Sequence, residues 1–330
     1  VRWPVFLLLS GFLLAGMLAG FALGPAAISL GKVISFVFGD REVLSPAERL
    51  ILGGVRLPRV LLAALVGGGL AVAGGVMQGL FRNPLASPYT LGVASGASTG
   101  AALVITLGLS KGTLWALPAG AFIGAMAAAL VAGGVARARR GVSPLTLILA
   151  GIAIATLFSA STSVLIYLAN PEEMGAIVVW LMGGLGRASP AYVHILWPLV
   201  LMGLVVALSF ARDLDILALG EEQAMHIGVA PVRTRWILLS AATLMTSAAV
   251  ACAGPIGFVG LIVPHAVRLV LGPSHTRLLT ACAVAGAGFL VWADLGARLV
   301  LRPVELPVGI ITAFLGVPFF LYLLRRGVVA

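Results

Sequence analysis

The chain has 330 residues, 61% of them hydrophobic and only 10% charged, and its mean hydropathy is +1.13. These figures exclude a water-soluble globule and leave no room for a soluble catalytic domain, because roughly ten helices of about 20 residues, each crossing a core of about 30 Å, consume the length. The net charge of +10 is almost wholly arginine, since Lys32 and Lys111 are the only lysines, and on a polytopic chain such charges flank spans rather than bind nucleic acid.

The apolar runs are continuous and rich in Ala, Leu and Gly, without the alternation a membrane β-barrel requires. The expected class is therefore all-α, with residues 1–330 forming a single polytopic transmembrane domain of about ten helices. Charges, prolines and glycine clusters place the predicted spans at 5–24, 60–80, 91–109, 114–136, 145–169, 192–211, 235–253, 256–271, 278–301 and 307–324. The first is expected to be an uncleaved span rather than a signal peptide, because the chain continues in the same manner.

With the N-terminus in the cytoplasm, ten spans return the C-terminus there, and most basic residues fall inside, Arg137, Arg139, Arg140, Arg212 and Arg233 among them. The outer side still keeps Lys32, Arg41, Arg49, Arg56, Arg59, Lys111, Arg187, Arg298 and Arg302. These are either snorkelling side chains at helix ends or a surface for an acidic partner or anionic solute.

Two connections are longer than linkage demands. The outer one, 25–59, ends in Arg56-Leu57-Pro58-Arg59. The inner one, 212–234, mixes Leu217, Ala218, Ala224, Met225, Ile227 and Val229 with charges, too short to span and too apolar for a solvated linker. It is expected to form a pair of short helices, either covered by a partner or lying on lipid headgroups. Gly67-Gly68-Gly69, Gly74-Gly75, Gly96 with Gly100 and Gly120 with Gly124 are expected to let helix backbones approach closely. By contrast, Asn83-Pro84, Ser143-Pro144, Gly183-Gly184 and Gly254-Pro255 interrupt apolar stretches, and irregular backbone at membrane depth is tolerated only against protein or a watery cavity, so a solute path is implied.

Several chemistries lack their residues. Lys32 is followed by Val33 and Lys111 by Gly112, so no phosphate loop of the form GxxxxGK[ST] exists and any ATP would be bound elsewhere. An ion-coupled carrier would be expected to bury carboxylates at mid-membrane; Asp294 is the one acidic residue well inside an apolar run, and Arg298 at i+4 is its expected partner. Neither a GxSxG elbow nor an HExxH zinc motif supports a membrane hydrolase, and His194, His226, His265 and His275 are scattered singly. Cys252 and Cys282 are expected to pack as small hydrophobes, and no metal site is anticipated.

The ordered motifs go further. Arg56-Leu57-Pro58-Arg59, Gly79-Leu80-Phe81-Arg82-Asn83-Pro84-Leu85-Ala86, Leu91-Gly92-Val93-Ala94-Ser95-Gly96-Ala97 and Trp180-Leu181-Met182-Gly183-Gly184 resemble those of the FecCD permeases. So do Ala218-Leu219-Gly220-Glu221-Glu222, the run from Gly254-Pro255 to Pro264-His265, and Glu305-Leu306-Pro307-Val308-Gly309, so the resemblance covers essentially the whole chain. It implies a type II ABC importer fold in the cytoplasmic membrane of a bacterium or archaeon. The expected partners are a second copy forming a homodimer, two ATPase subunits that hold ATP and magnesium, and a soluble substrate-binding protein. No cofactor and no catalysis are expected in this chain. Ferric siderophore is the first expected cargo, with haem or cobalamin as alternatives and an ion-coupled carrier as the alternative of another class.

Roles carried over by resemblance are as follows. Arg56, Arg59 and Arg298 would take glutamates of the binding protein. Residues 213–230, including Asp213, Asp215, Gly220, Glu221, Glu222, Gln223, Met225, His226 and Gly228, would form the coupling helices that seat on the ATPases. Asn83, Leu85, Val142 and Ser143 would form the cytoplasmic gate, although Val142 departs from the polar residue expected there, and Gly183 and Gly184 the outer gate.

Overall fold

The computed structural model describes residues 3–40, 42–137 and 144–325, which are helical and contain no strand. In chain order the helices are α1 (Trp3–Ala22), α2 (Leu30–Val37), α3 (Pro46–Leu50), α4 (Leu57–Phe81), α5 (Val93–Thr106), α6 (Ala116–Arg137), α7 (Pro144–Leu168) and α8 (Pro171–Leu181). They continue as α9 (Pro190–Ser209), α10 (Ala211–Leu219), α11 (Glu221–His226), α12 (Pro231–Ala253), α13 (Val259–Leu271), α14 (His275–Leu299) and α15 (Val308–Arg325). Each of the ten predicted spans coincides with one of the long or apolar helices, so the polytopic all-α class holds.

α4 is the central post, buried along nearly its whole length. It can sit there because its glycines let other backbones touch it: a Cβ at Gly67 would land on the Gly286 carbonyl of α14, and one at Gly74 on the Gly260 carbonyl of α13. The α5–α6 crossing uses the same device, with Gly96 against Gly124 and Gly100 against Gly120. Without lipid-driven hydrophobic association between spans, such close approach supplies the packing.

The outer connection departs from the expected loop. α2 occupies part of it, and from Pro46 to Phe81 the chain is continuously helical over 36 residues, longer than a bilayer is thick. A π-helical turn over Ile51–Arg56 joins α3 to α4. Pro58 follows that π-helical turn, in the first turn of α4, so the motif that reads as a loop lies inside a continuous helix.

α5 and α13 have only 14 and 13 residues and cover about 20 Å each. The remaining depth is taken up by irregular segments, 82–92 before α5 and 254–258 before α13. Cys252 and Cys282 are free and buried, as expected of small hydrophobes.

Candidate functional site

The residues with expected roles fall in three regions: the end of the bundle where α1 finishes, the opposite end bearing α10 and α11, and the irregular segments between them.

At the first end, Arg56, Arg59 and Arg298 are only 3%, 7% and 2% exposed. The Arg56 Nη1 donates to the carbonyls of Phe21 (3.2 Å) and Ala22 (2.7 Å), and its Nη2 to that of Ala26. Arg298 Nη1 donates to the carbonyls of Gly20 and Leu23, each at 3.2 Å. Both guanidiniums thus cap the carbonyls left over at the C-terminus of α1, where a cation also meets the negative end of the helix dipole. Arg59 Nε donates to Asp294 Oδ1 at 3.0 Å and its Nη1 to Glu305 Oε2 at 2.6 Å, while Arg298 Nε lies 3.0 Å from Asp294 Oδ2. Asp294 is therefore paired with Arg298, as its i+4 spacing suggests, and also with Arg59, 235 residues away in the chain.

The three arginines tie α1, α4 and α14 together, and Arg298 Nη2 is left without a hydrogen-bond partner among the described residues. The exposed basic residues on the same side include Arg49, Arg187 and Arg302.

At the other end, α10 and α11 form the predicted pair of short helices, bent at Gly220. Gly220 has φ +137°, and a Cβ there would overlap the Gln223 side chain, so only glycine allows the bend. Ala211, Leu214, Leu217 and Ala224 face inward. Leu219, Met225 and Ile227 are 68%, 59% and 61% exposed, beside the exposed Glu222, Gln223, His226 and Gly228. Glu221 and Glu222 lie in the first turn of α11, where negative charge favours the helix.

Three polar pins hold this pair to the bundle. Asp215 accepts both the backbone N–H of His275 (2.9 Å) and its Nδ1–H (2.5 Å), fixing α10 to the start of α14. Arg235 Nη2 donates to Glu221 Oε1 at 2.5 Å, fixing α11 to α12. The Arg82 Nη2 donates to the Leu217 carbonyl, fixing α10 to the end of α4. Asp215 and Glu221 thus have partners inside the chain, whereas Asp213 has no ion pair among the described residues.

Arg82 itself closes α4 in the left-handed region, φ 47°, and launches the segment containing the expected inner gate. Asn83 Oδ1 accepts the Leu85 N–H at 2.8 Å, so Asn83 and Leu85 sit together in one tight turn, with Leu85 exposed. Val142 and Ser143 lie outside the described residues. The segment then dips into the bundle, where the Tyr89 hydroxyl donates to the Ile256 carbonyl (2.7 Å) and accepts the Ile256 N–H (3.0 Å).

Ile256 belongs to the second irregular segment, which meets the expected outer gate. Gly184 N–H donates to the Ala253 carbonyl at 2.7 Å, and Gly309 N–H to the Gly183 carbonyl at 3.2 Å. Gly183 has φ +67°, and a Cβ there would overlap the Pro255 carbonyl. Three chain breaks therefore converge, after α8, after α12 and before α15. Beside them lies an apolar cavity of about 620 Å³ lined by Met182, Pro255, Phe258 and the Ile310 and Phe314 face of α15. Sequence reading anticipated the glycine breaks but not Tyr89, Asp215–His275 or Arg235–Glu221, whose partners are 14 to 167 residues apart and leave no local pattern.

Comparison with known proteins bears on this arrangement. The sequence model of the FecCD transport family matches residues 12–326. The cobalamin import system permease protein BtuC of Halobacterium salinarum is 47% identical over 91% of this chain and 79% of its own. The Fe(3+) dicitrate transport system permease protein FecD of Escherichia coli is 44% identical over 84% of this chain and 85% of its own. The hemin transport system permease protein HmuU of Yersinia pestis is 41% identical over 97% and 96%. Among solved structures, a metal-chelate type ABC transporter in an inward-facing conformation superposes with a TM-score of 0.87 at 30% identity, covering 99% of this chain and all of that one.

Proposed function

The chain belongs to the FecCD transport family, the transmembrane permease subunits of ABC importers, and from that premise we propose that it is the path-forming half of an ATP-driven importer for a metal chelate. The observation that carries the reading is the chain of contacts from α10–α11 to the two irregular segments. The α10–α11 pair presents an apolar outer face, packs its buried face on the bundle and is pinned to α4, α12 and α14 by polar contacts. Arg82 is at once the pin to α10 and the first residue of the inner-gate turn. Tyr89 then links that segment to the convergence of Gly183, Gly254 and Gly309.

In this mechanism separate ATPase subunits grip Leu219, Met225 and Ile227, and closure of those subunits displaces α10 and α11 as a rigid pair. The displacement passes through Arg82 to Asn83 and Leu85, and through Tyr89 to the Gly183–Gly184 break, so that opening of one end accompanies closing of the other. This chain performs no covalent chemistry. A second copy would complete the path by facing the exposed apolar side chains of α7 and α15, among them Leu149, Ile152, Phe314 and Leu321. A binding protein would dock on the end opposite α10–α11. There Arg49, Arg187 and Arg302 supply accessible charge, while Arg56, Arg59 and Arg298 hold the surface beneath.

Ferric siderophore is the proposed cargo. Cobalamin is the second reading, favoured by the identity to the Halobacterium salinarum protein. The test is uptake into vesicles containing this chain with its ATPase and binding protein, assayed with a ferric siderophore, haem and cobalamin in parallel. ATP-dependent accumulation of one chelate is expected. Accumulation driven by a proton gradient without the ATPase would overturn the importer reading, and uptake of cobalamin alone would replace the cargo while leaving the mechanism.

A further inference from the structure

On the flank of the bundle, between α6 and α12 and at the end that carries α10 and α11, lies a groove of about 320 Å³. α6 presents Ile123, Leu130, Val131 and Val135 outward, all exposed and apolar, as a face toward lipid does. The groove exists because side chains are missing from its wall: a Cβ at Gly134 would meet nothing within 4 Å, and Gly133 stands against the Trp236 ring. An apolar furrow beside hydrocarbon is filled by an acyl chain, since a gap there forfeits dispersion contacts.

The polar groups in the groove follow a definite order. Arg137, in the last turn of α6, has no carboxylate partner among the described residues. On the α12 wall, Trp236, Ser240 and Thr243 line the groove along one stripe at helical spacing, and the exposed Arg233 precedes them on that stripe, beyond the groove's lining. The Ser240 and Thr243 hydroxyls line the groove and make no hydrogen bond among the described residues. Unpaired hydroxyls at membrane depth are unfavourable and call for an acceptor from elsewhere. From the end inward the order is guanidinium, indole, hydroxyl and apolar wall, and Ser240 lies about 10 Å along the helix from Arg233. That is the order of phosphate, headgroup boundary, glycerol esters and acyl chain in a phospholipid, and the N-terminus of α12 adds partial positive charge beside the arginines.

We propose that this groove binds a glycerophospholipid with an anionic headgroup, with the phosphate on Arg137 and Arg233, ester oxygens toward Ser240 and Thr243, and an acyl chain along Gly133 and Gly134. The assignment rests on the membrane-spanning reading of the chain and not on its coupling to ATP.

Native mass spectrometry of the purified full chain, offered phosphatidylglycerol and phosphatidylcholine in equal amounts, tests it. Wild type is expected to prefer the anionic lipid by about fivefold for each arginine engaged. Arg137→Gln with Arg233→Gln should bring that ratio near unity. Gly134→Leu fills the groove without touching the charges and should reduce adducts of both lipids. Glycerol 3-phosphate and inorganic phosphate, which lack acyl chains, should fail to displace the bound lipid. Equal binding of the two lipids by wild type, unchanged adducts in Gly134→Leu, or displacement by the soluble phosphates would overturn the proposal. None of these readouts requires transport, so a failed uptake assay leaves the lipid site standing and the reverse holds too.

Discussion

The two ends of this molecule handle charge in opposite ways. At the end where α1 finishes, three arginines are sunk among two carboxylates and five backbone carbonyls and cross-link three helices. At the α10–α11 end, each short helix is held by a few polar pins and one buried apolar face, while Leu219, Met225 and Ile227 stand in the open. Buried charge is costly to rearrange once its partners are in place, whereas a helix of six or nine residues with a few surface contacts shifts as a body. The contrast teaches where a transporter of this kind takes up movement and where it resists it.

The largest effect expected concerns the knot. Asp294→Asn leaves Arg59 and Arg298 buried without a carboxylate between them and should cost about 3–5 kcal/mol. It is read as a marked fall in thermal unfolding temperature in detergent. Unaltered unfolding together with weakened capture of the binding protein would turn the knot into a docking surface and undo the comparison.

Next comes the exposed apolar face of α10 and α11, proposed above to seat on the ATPase. Met225→Glu should leave unfolding unchanged, since the residue touches little of its own chain, yet weaken ATPase binding by about 2 kcal/mol or more if it is an interface anchor. Co-purification of the ATPase and its stimulated turnover measure this. Full retention of both would mean that α10 and α11 lie on headgroups rather than on a partner.

Tyr89→Phe removes the bridge to Ile256 and strands its backbone groups, a change of about 1 kcal/mol in stability. Its sharper signature is ATP hydrolysis continuing with less cargo moved per ATP. A variant with an unaltered ratio would break the link drawn between the two gate segments.

The smallest effect is at the end opposite α10 and α11. Arg187→Glu with Arg302→Glu should slow association of the binding protein, by at most about 1 kcal/mol per pair, in a manner that fades as salt rises. Salt-independent docking kinetics would remove these residues from the contact.

Much of this architecture was legible from residues alone, and the exceptions share a cause. Ten helices announce themselves because lipid demands about 20 apolar residues per crossing. The glycine pairs at 96, 100, 120 and 124 meet across one helix crossing because close packing in lipid needs small residues. The Gly220 elbow and the apolar residues around it mark α10 and α11. Asp294 with Arg298 was visible at i+4, but Arg59 joins them from 235 residues away, and no local spacing encodes that. The docking role of Arg56 rests on resemblance alone, while its seat on the carbonyl end of α1, set by the π-helical turn over Ile51–Arg56, has no local sequence pattern.

Distances between paired spin labels measure the asymmetry itself. With one label on each copy of the chain in the proposed homodimer, at Leu219 on α10 and separately at Leu301 near the knot, both exposed positions, the assembly with its ATPase is compared without nucleotide and trapped with ATP. The Leu219 pair should change separation by several ångströms while the Leu301 pair holds, because force enters at α10–α11 and the knot stays fixed. A stationary Leu219 pair, or a larger shift at Leu301, would contradict the account.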